Sequence, residues 1–125
     1  MKYGLEIISK TGEDTSVVAV DAQGEHGEEG LALVYSFDGA EYALCISQEA
    51  MTQERRGEVN IFTEVRAGRT TVCRISDGTG YGAFNVRCEK LEVSFNGGDC
   101  VAVCAFSGGD GAEQTTITVT ARALG

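Results

Sequence analysis

Residues 57–106 read GEVNIFTEVRAGRTTVCRISDGTGYGAFNVRCEKLEVSFNGGDCVAVCAF, and this stretch decides the fold. It holds four apolar-rich runs, and short turns that contain glycine separate each run from the next. The turns leave no room for a helical crossover, so neighbouring runs can pair only as antiparallel hairpins. The pattern therefore predicts an antiparallel sheet, and it says little about activity.

The rest of the chain continues this alternation of strands and turns. Asp38-Gly39 is the strongest hairpin signal in the first half and predicts a type I′ turn. Residues 24–30, GEHGEEG, predict an exposed loop or a tight hairpin connection, and residues 107–111 predict the last turn. Residues 81–95 predict one long, bent strand. The other predicted strands cover residues 3–10, 15–23, 31–37, 41–47 and 114–124.

Residues 48–56, QEAMTQERR, are the only stretch whose composition suits a helix. The segment is too short to form a stable helix by itself. We therefore expect one helical turn or an irregular loop there.

The predicted elements define an all-β fold in a single domain covering residues 1–125. Strands recur every 8–12 residues with turn signals between them, which is typical of an antiparallel barrel or a sandwich. Apolar residues on both faces of some strands, together with short hairpin connections, leave few natural sheet edges. We therefore expect an up-and-down β-barrel of eight to ten strands with at most one short helical turn.

The charge of the chain is unevenly distributed. The net charge is −9, with 10 Lys and Arg against 19 Asp and Glu. Residues 1–54 hold eleven of the acids and only Lys2 and Lys10, whereas residues 55–125 hold eight acids and eight bases. Binding to nucleic acid requires clustered cations, so this composition disfavours it. The acidic residues are explained most simply as keeping the protein soluble. The alternative explanation is that a basic partner binds the acidic half.

The five cysteines and the amino-terminal segment favour a cytoplasmic protein. Cysteines 45, 73, 88, 100 and 104 lie inside apolar runs and form no C-x-x-C pair. We expect them to be reduced and buried rather than joined in disulfides. The first ten residues, MKYGLEIISK, lack the apolar core of a signal peptide, and no apolar run reaches the length of a membrane helix.

Residues 57–124 resemble the YwiB-like family of uncharacterised bacterial β-barrels, which are calycin-like and related in shape to lipocalins. The resemblance covers a little over half of the chain. The shared features are Arg56-Gly57, the turn Gly68-Arg69-Thr70, the pair Tyr81-Gly82 and the segment Leu91-Glu92-Val93. Gly80 departs from the family, which usually has proline before the Tyr-Gly pair. The resemblance implies a calycin-like barrel and, because the family has no assigned activity, no chemistry.

Three patterns that could carry chemistry lack the partners they need. GTGYGA at residues 78–83 precedes a predicted strand, whereas a dinucleotide loop requires a following helix. His26 is the only histidine and lies in an acidic loop, so neither a metal site nor a nucleophile–base pair is predicted. The acidic residues show no pattern that places two of them in a buried pair. We therefore predict no catalytic residues, no metal and no cofactor.

Five polar residues on two neighbouring strands are the candidate ligand-binding residues: Thr70, Arg74, Tyr81, Asn85 and Arg87. Tyr81, Asn85 and Arg87 alternate with the apolar residues Phe84 and Val86. If the apolar face forms the core, these residues lie on the outer surface of the barrel. If the barrel is wide and wet, they line a cavity in which arginine could hold a carboxylate or a phosphate.

Three functions remain open at this point. The first is a cytoplasmic calycin-like barrel that binds a small apolar or amphipathic molecule at its open end. The second is a non-catalytic structural or protein-interaction module with a filled barrel, which could form a homodimer. The third is an enzyme that uses scattered carboxylates and arginines, and the sequence favours it least.

Overall fold

The structure, a computed structural model, describes residues 1–108 and 113–124. Its ten strands are β1 (Lys2–Thr11), β2 (Asp14–His26), β3 (Leu31–Phe37), β4 (Ala40–Ile46), β5 (Ala50–Arg56), β6 (Asn60–Arg66), β7 (Thr70–Ser76), β8 (Tyr81–Asn96), β9 (Asp99–Gly108) and β10 (Thr115–Leu124). Residues 107 and 108, predicted as part of the last turn, belong to β9, and residues 109–111 of that turn lie outside the described part. None of the described residues forms a helix with the length and apolar character needed to cross a membrane.

The ten strands form one closed antiparallel barrel in which each strand pairs with its neighbours in the chain. The barrel closes where β1 pairs with β10, from Lys2 opposite Leu124 to Thr11 opposite Thr115. Closure gives every strand two partners. The predicted all-β up-and-down barrel is therefore confirmed, with a strand number at the upper end of the predicted range.

The prediction of a helical turn or loop over residues 48–56 is wrong, because Ala50–Arg56 forms the seven-residue strand β5. Met51 lies opposite Ile46 on one side and Val65 on the other. Pairing on both sides satisfies the backbone of the segment and buries Met51 in the core. Tertiary pairing thus overrides the helix propensity of Gln, Glu and Arg.

Two turns in the first half differ in how well the sequence predicted them. The type I′ prediction is confirmed, since Asp38 and Gly39 have φ values of 50° and 79°. Of the two alternatives for residues 24–30, the tight hairpin connection is confirmed, since His26 pairs with Leu31, although residues 24–26 belong to β2. A hydrogen bond of 2.8 Å from the amide of Gly27 to the carbonyl of Gly30 closes the shorter turn.

The longest strand, β8, spans 16 residues, as the long-strand prediction required. Its register with β9 shifts between Cys88 and Lys90. This bulge changes the alternation, so that Val86 and Cys88 face inward before it and Leu91 and Val93 face inward after it. A bulge bends a strand and increases its twist, which allows a long strand to follow the curved wall of a barrel.

One half of the barrel interior is filled with apolar side chains. We call this region the packed half. Its inner-face residues are Tyr3, Leu5, Leu31, Leu33, Leu44, Ile46, Met51, Val65, Val86, Cys88, Cys100, Ala102, Cys104, Val119 and Ala121, all of which are buried. Their burial supplies the main driving force for folding, since each fully buried Leu or Ile contributes about 1.5–3 kcal/mol.

The cysteines are free thiols, and four of the five are buried. Cys45 is the exception to the prediction of burial. It lies between Leu44 and Ile46 on β4, whose side chains point inward, and its own side chain therefore points outward.

Candidate binding site at the open end of the barrel

The inner faces of β3 to β8 carry successive layers of side chains that cross the strands. In the first layer, Leu31, Ile46, Met51 and Val65 are buried and belong to the packed half. Two layers further along, the register aligns Tyr35, Tyr42, Arg55, Ile61, Ile75 and Gly82. This layer lies beside the β3–β4, β5–β6 and β7–β8 turns.

We call the region around this layer the open end. Its inner-face side chains are Tyr42, Arg55, Ile61, Ile75 and Phe84. The first four are half-buried, and Phe84 is 47% exposed although it shares a face with the buried Val86. Large apolar side chains on an inner face are normally covered. Solvent therefore reaches the inner face at the open end.

Two tyrosines and an amide form a fixed group at the border between the two regions. The rings of Tyr35 and Tyr42 stack with centroids 4.9 Å apart and an interplanar angle of 2°. Gln53 Nε2 donates a hydrogen bond of 2.7 Å to the hydroxyl of Tyr35. Cross-strand aromatic pairs of this kind contribute to sheet stability and restrict the side chains that form them.

Burial raises the pKa of Tyr35 to about 12. The hydrogen bond from Gln53 acts in the opposite direction, because it favours the phenolate, and the nearby Tyr42 adds to the increase. Burial is the largest of these effects. Tyr35 therefore keeps its proton at neutral pH, and that proton remains available for donation to an acceptor.

Arg55 is the charged side chain of the open end. It follows Gln53 on the inner face of β5 and lies between Tyr42 on β4 and Ile61 on β6. Its Nε donates a hydrogen bond of 3.3 Å to the hydroxyl of Tyr42, and its Nη1 donates to the carbonyl of Val59. These contacts hold the guanidinium beside the β5–β6 turn.

Two glycines keep space at the open end. A Cβ at Gly57 would lie 3.3 Å from the Cβ of Ala40 and 3.5 Å from Arg55 Nη1, so a side chain there would crowd the guanidinium. Gly82 faces inward opposite Ile75, and a Cβ there would have no heavy atom within 4 Å. The inner wall beside Ile75 is therefore open space.

Two grooves in the barrel wall reach the side chains of the open end. One, of about 770 Å³, is lined by Arg55, Ile61 and Gly57 together with outer-face residues that include Arg74, Glu41 and Glu54. The other, of about 700 Å³, is lined by Tyr35, Tyr42 and Ala22 together with outer-face residues that include Asp21, Glu41 and Glu54. It lies where β2 and β3 separate, since their pairing extends only from Gln23 opposite Val34 to His26 opposite Leu31.

The five residues predicted to bind a ligand lie on the outer face of β7 and β8. All five are exposed, and Tyr81 is 75% exposed. The register brings Thr70 directly opposite Arg87, whereas Tyr81 lies at the other end of the strand pair, opposite Ser76. They therefore do not line the interior, and a binding role for them stays a prediction about the outer surface. Of the five, Arg74 contributes to the groove that also contains Arg55.

No sequence pattern marked Tyr42, Gln53 and Arg55 as a site. Gln53 and Arg55 make the inner face of β5 polar, so the apolar alternation that marks the other strands is missing there. A usable signal was the spacing of turns. Ser47 lies before β5, where its Oγ accepts a hydrogen bond of 3.1 Å from the amide of Ala50, and Gly57 lies directly after β5. Serine and glycine are typical turn residues, and the segment between these two turns is as long as the neighbouring strands, which indicates a strand.

The other patterns considered in the sequence lie outside this site. The GTGYGA segment covers part of the β7–β8 turn and the first three residues of β8, and in the turn the amide of Asp77 donates a hydrogen bond of 3.0 Å to the carbonyl of Gly80. His26 is exposed at the end of β2, with its ring centroid 5.1 Å from that of Phe95. Within residues 1–108 and 113–124, no three Asp, Glu, His or Cys side chains converge as a metal site would require.

The fold is similar to that of YwiB from Bacillus subtilis. The crystal structure of that protein matches with a TM-score of 0.77 and 12% sequence identity, over 99% of this chain and 91% of the YwiB chain. The YwiB-like fold expected from the sequence resemblance is therefore confirmed. No family model and no curated protein matches the chain. An identity of 12% shows a shared fold and carries no information about function.

Proposed function

We propose that this chain is a cytoplasmic, calycin-like barrel that binds a small apolar or amphipathic molecule at its open end. The observation that carries the proposal is the half-exposed inner face formed by Tyr42, Ile61, Ile75 and Phe84. Ligand sites are typically concave and largely apolar, with a few polar groups that orient the ligand. The stacked tyrosines, Gln53 and Arg55 supply such polar groups.

The packed half limits how deep a ligand can enter. Leu33, Leu44 and Ile46 are buried directly below the open end, so the barrel is not hollow along its length. We therefore expect a ligand that occupies the mouth and the adjoining wall grooves rather than a long central tunnel. Five free cysteines support the cytoplasmic part of the proposal, since disulfides are rare in that compartment.

A neutral fluorescent probe tests the proposal directly. N-phenyl-1-naphthylamine should become brighter when mixed with the protein, and 1-decanol should displace it. Gly82→Phe should abolish this binding, because Gly82 faces the open space beside Ile75 and has no positive φ that a side chain would strain. Ala83→Phe is the matched control, since Ala83 is the next residue and is exposed on the outer face.

The two variants distinguish binding at the open end from binding elsewhere on the protein. Probe binding that Gly82→Phe removes and Ala83→Phe retains would support the open end as the site. No probe binding by the unmodified protein, or equal loss in both variants, would contradict the proposal. Circular dichroism of both variants establishes that each keeps the β-barrel fold.

A series of 1-alkanols measures the depth of the site. Each methylene that enters an apolar site contributes about 0.8 kcal/mol, or roughly a fourfold gain in affinity. We expect this gain to stop once the chain reaches the buried layer of Leu33 and Leu44. A gain that continues through the longest alkanols would show that the interior opens, contrary to the burial of the packed half.

The outer face of β7 and β8 favours a second candidate function, a protein-interaction module that could form a homodimer. Tyr81 is 75% exposed and Val72 is 43% exposed on this face. Within the described residues, their neighbours Arg74 and Arg87 form no ion pair. Light scattering after size-exclusion chromatography would test this function: a dimer that Tyr81→Ser converts to a monomer would favour it over small-molecule binding.

A further inference from the structure

The polar groups of the open end are arranged to donate hydrogen bonds. A guanidinium has five N–H donors and no acceptor. Two of the five in Arg55 are used, one by the hydroxyl of Tyr42 and one by the carbonyl of Val59, which leaves about three. The hydroxyl oxygens of Tyr35 and Tyr42 each accept a hydrogen bond, from Gln53 and Arg55 respectively, so the protons of these hydroxyls can also be donated.

The inner face around these donors holds no carboxylate. Within the strands β3 to β7, the acidic residues are Glu41, Glu54 and Glu64, and they alternate with inward side chains. Asp38, Glu58 and Asp77 lie in the turns beside the open end, and none of them forms an ion pair with Arg55. The four ion pairs among the described residues involve Lys2, Arg56, Arg66 and Lys90, and none involves Arg55. Arg55 is thus a half-buried cation without an acidic partner in the described part of the chain.

A half-buried charge without a counter-ion has a desolvation cost that an anionic ligand can offset. Guanidinium groups match carboxylates especially well, because two parallel N–H donors fit two carboxylate oxygens. The apolar surface of Ile61, Ile75 and Phe84 lies on the same inner face and would contact a hydrocarbon tail.

We propose that the open end selects amphipathic carboxylates, with the carboxylate bound to Arg55 and the apolar part against Ile61, Ile75 and Phe84. This inference rests on the proposed function and adds the chemical class of the ligand. Tyr42 connects Arg55 to Tyr35, because its hydroxyl accepts the hydrogen bond from Arg55 Nε and its ring stacks on that of Tyr35.

Three probes of similar chain length and different head group test the inference: decanoate, 1-decanol and decyltrimethylammonium. At pH 7.5 the unmodified protein should bind decanoate at least tenfold more tightly than 1-decanol, and the cation more weakly than either. Arg55→Met should lower the affinity for decanoate to that for 1-decanol and leave 1-decanol unchanged. Unchanged binding of 1-decanol shows that the open end of the variant is intact.

Arg56 provides the matched control for Arg55. It is the next residue, carries the same charge, is exposed on the outer face and pairs with Glu54. Arg56→Met should keep the preference for decanoate. Arg55→Lys should keep only part of it, because lysine supplies charge without the paired donors.

A second variant keeps the test informative if Arg55→Met does not fold. Tyr42→Phe retains the charge of Arg55 and removes the acceptor of its Nε, so it should lower the affinity for decanoate by about threefold and leave 1-decanol unchanged. Equal binding of decanoate and 1-decanol by the unmodified protein would overturn the inference and leave the proposed function standing. Loss of the preference in Arg56→Met alone would also overturn it. If neither compound binds, the proposed function itself fails.

Discussion

Strands β3 to β8 contribute side chains to both the packed half and the open end, and the same backbone pairing runs through both regions. They differ in the side chains that the inner face presents. In the packed half, layers of Leu, Ile, Met and Val exclude solvent, whereas the open end mixes apolar side chains with Tyr42, Gln53 and Arg55. Two inner-face glycines reinforce the contrast. Gly24 lies against Leu33 and Tyr3 in the packed half, and Gly82 faces open space at the open end.

This difference shows that closure of the barrel and filling of the barrel are separate properties. Hydrogen bonds between strands close the wall whatever the inner side chains are. Filling depends on the volume and polarity of each inner layer. The stability of the protein should therefore come mainly from the packed half, and changes at the open end should affect stability little and ligand binding strongly.

The largest difference between the two regions is expected for glycine replacement. Gly30 has a φ of 151°, and a Cβ there would lie 1.9 Å from the carbonyl oxygen of Ile46, so Gly30→Ala forces the backbone to move. We expect a loss of about 4 kcal/mol or more in the free energy of unfolding. Gly80→Ala, in the β7–β8 turn at the open end, has no heavy atom within 4 Å of the new Cβ and should change stability by less than about 1 kcal/mol. Urea denaturation of both variants measures the contrast, and similar losses would remove it.

Truncation of one large apolar side chain in each region gives the next largest effect. Leu44 is 2% exposed, and Leu44→Ala should cost about 2–5 kcal/mol because it leaves a cavity in the core. Phe84 is 47% exposed, so Phe84→Ala should cost about 1 kcal/mol, although a phenylalanine is the larger side chain. The same denaturation experiment applies. A greater loss for Phe84→Ala would mean that the open end is closed in solution.

The sequence predicted the barrel because the strands that pack against the core carry an apolar alternation. In β10, Val119 and Ala121 alternate with Thr118 and Thr120, and both apolar residues are buried. Glycine turns fixed the hairpin connections, and the positive φ of Asp38 and Gly39 confirms the one turn type that was specified. In these places the sequence was sufficient to predict the structure, because the preferences of the local residues agree with the final packing.

The candidate site was harder to predict, because its polar residues do not follow the apolar alternation that identifies the other strands. Alternation assigns residues to two faces, and the hydrophobic effect turns the apolar face inward. Arg74, Asn85 and Arg87 are polar members of strands with a strong apolar face, so they lie outside the barrel. Inner polar residues occur in β5, where Gln53 and Arg55 interrupt the pattern. The feature that hid β5 from sequence analysis is the one that makes its inner face a candidate site.

A rise in pH should weaken the packed half in particular. Burial raises the pKa of Cys100 to about 11 and that of Cys104, beside Cys88, to about 12. Above pH 9 the unfolded chain loses these protons while the folded chain retains them. The contribution of the two thiols to the free energy of unfolding is therefore fully present below pH 9 and is lost as the pH rises toward 11 or 12. We expect a loss of roughly 1–3 kcal/mol between pH 8 and pH 10. Urea denaturation at several pH values measures the slope, and Cys104→Ala should reduce it. An unchanged stability would show that these thiols are solvated.

The smallest effect comes from one chemical change, tyrosine to phenylalanine, made in each region. Tyr35 accepts a hydrogen bond of 2.7 Å from Gln53, so Tyr35→Phe should destabilise the protein by about 1 kcal/mol. Tyr3 is fully buried, and among the described residues its hydroxyl has no hydrogen-bond partner.

Tyr3→Phe should therefore be neutral or stabilising by up to about 1 kcal/mol, because it removes a buried polar group that has been taken out of water without compensation. The opposite signs matter more than the magnitudes. The same substitution then distinguishes the two hydroxyls. That of Tyr35 belongs to a hydrogen-bonded group at the border of the open end, whereas that of Tyr3 lies in the apolar interior. If Tyr3→Phe instead costs more than about 1 kcal/mol, a buried water binds that hydroxyl, and the packed half is not wholly dry.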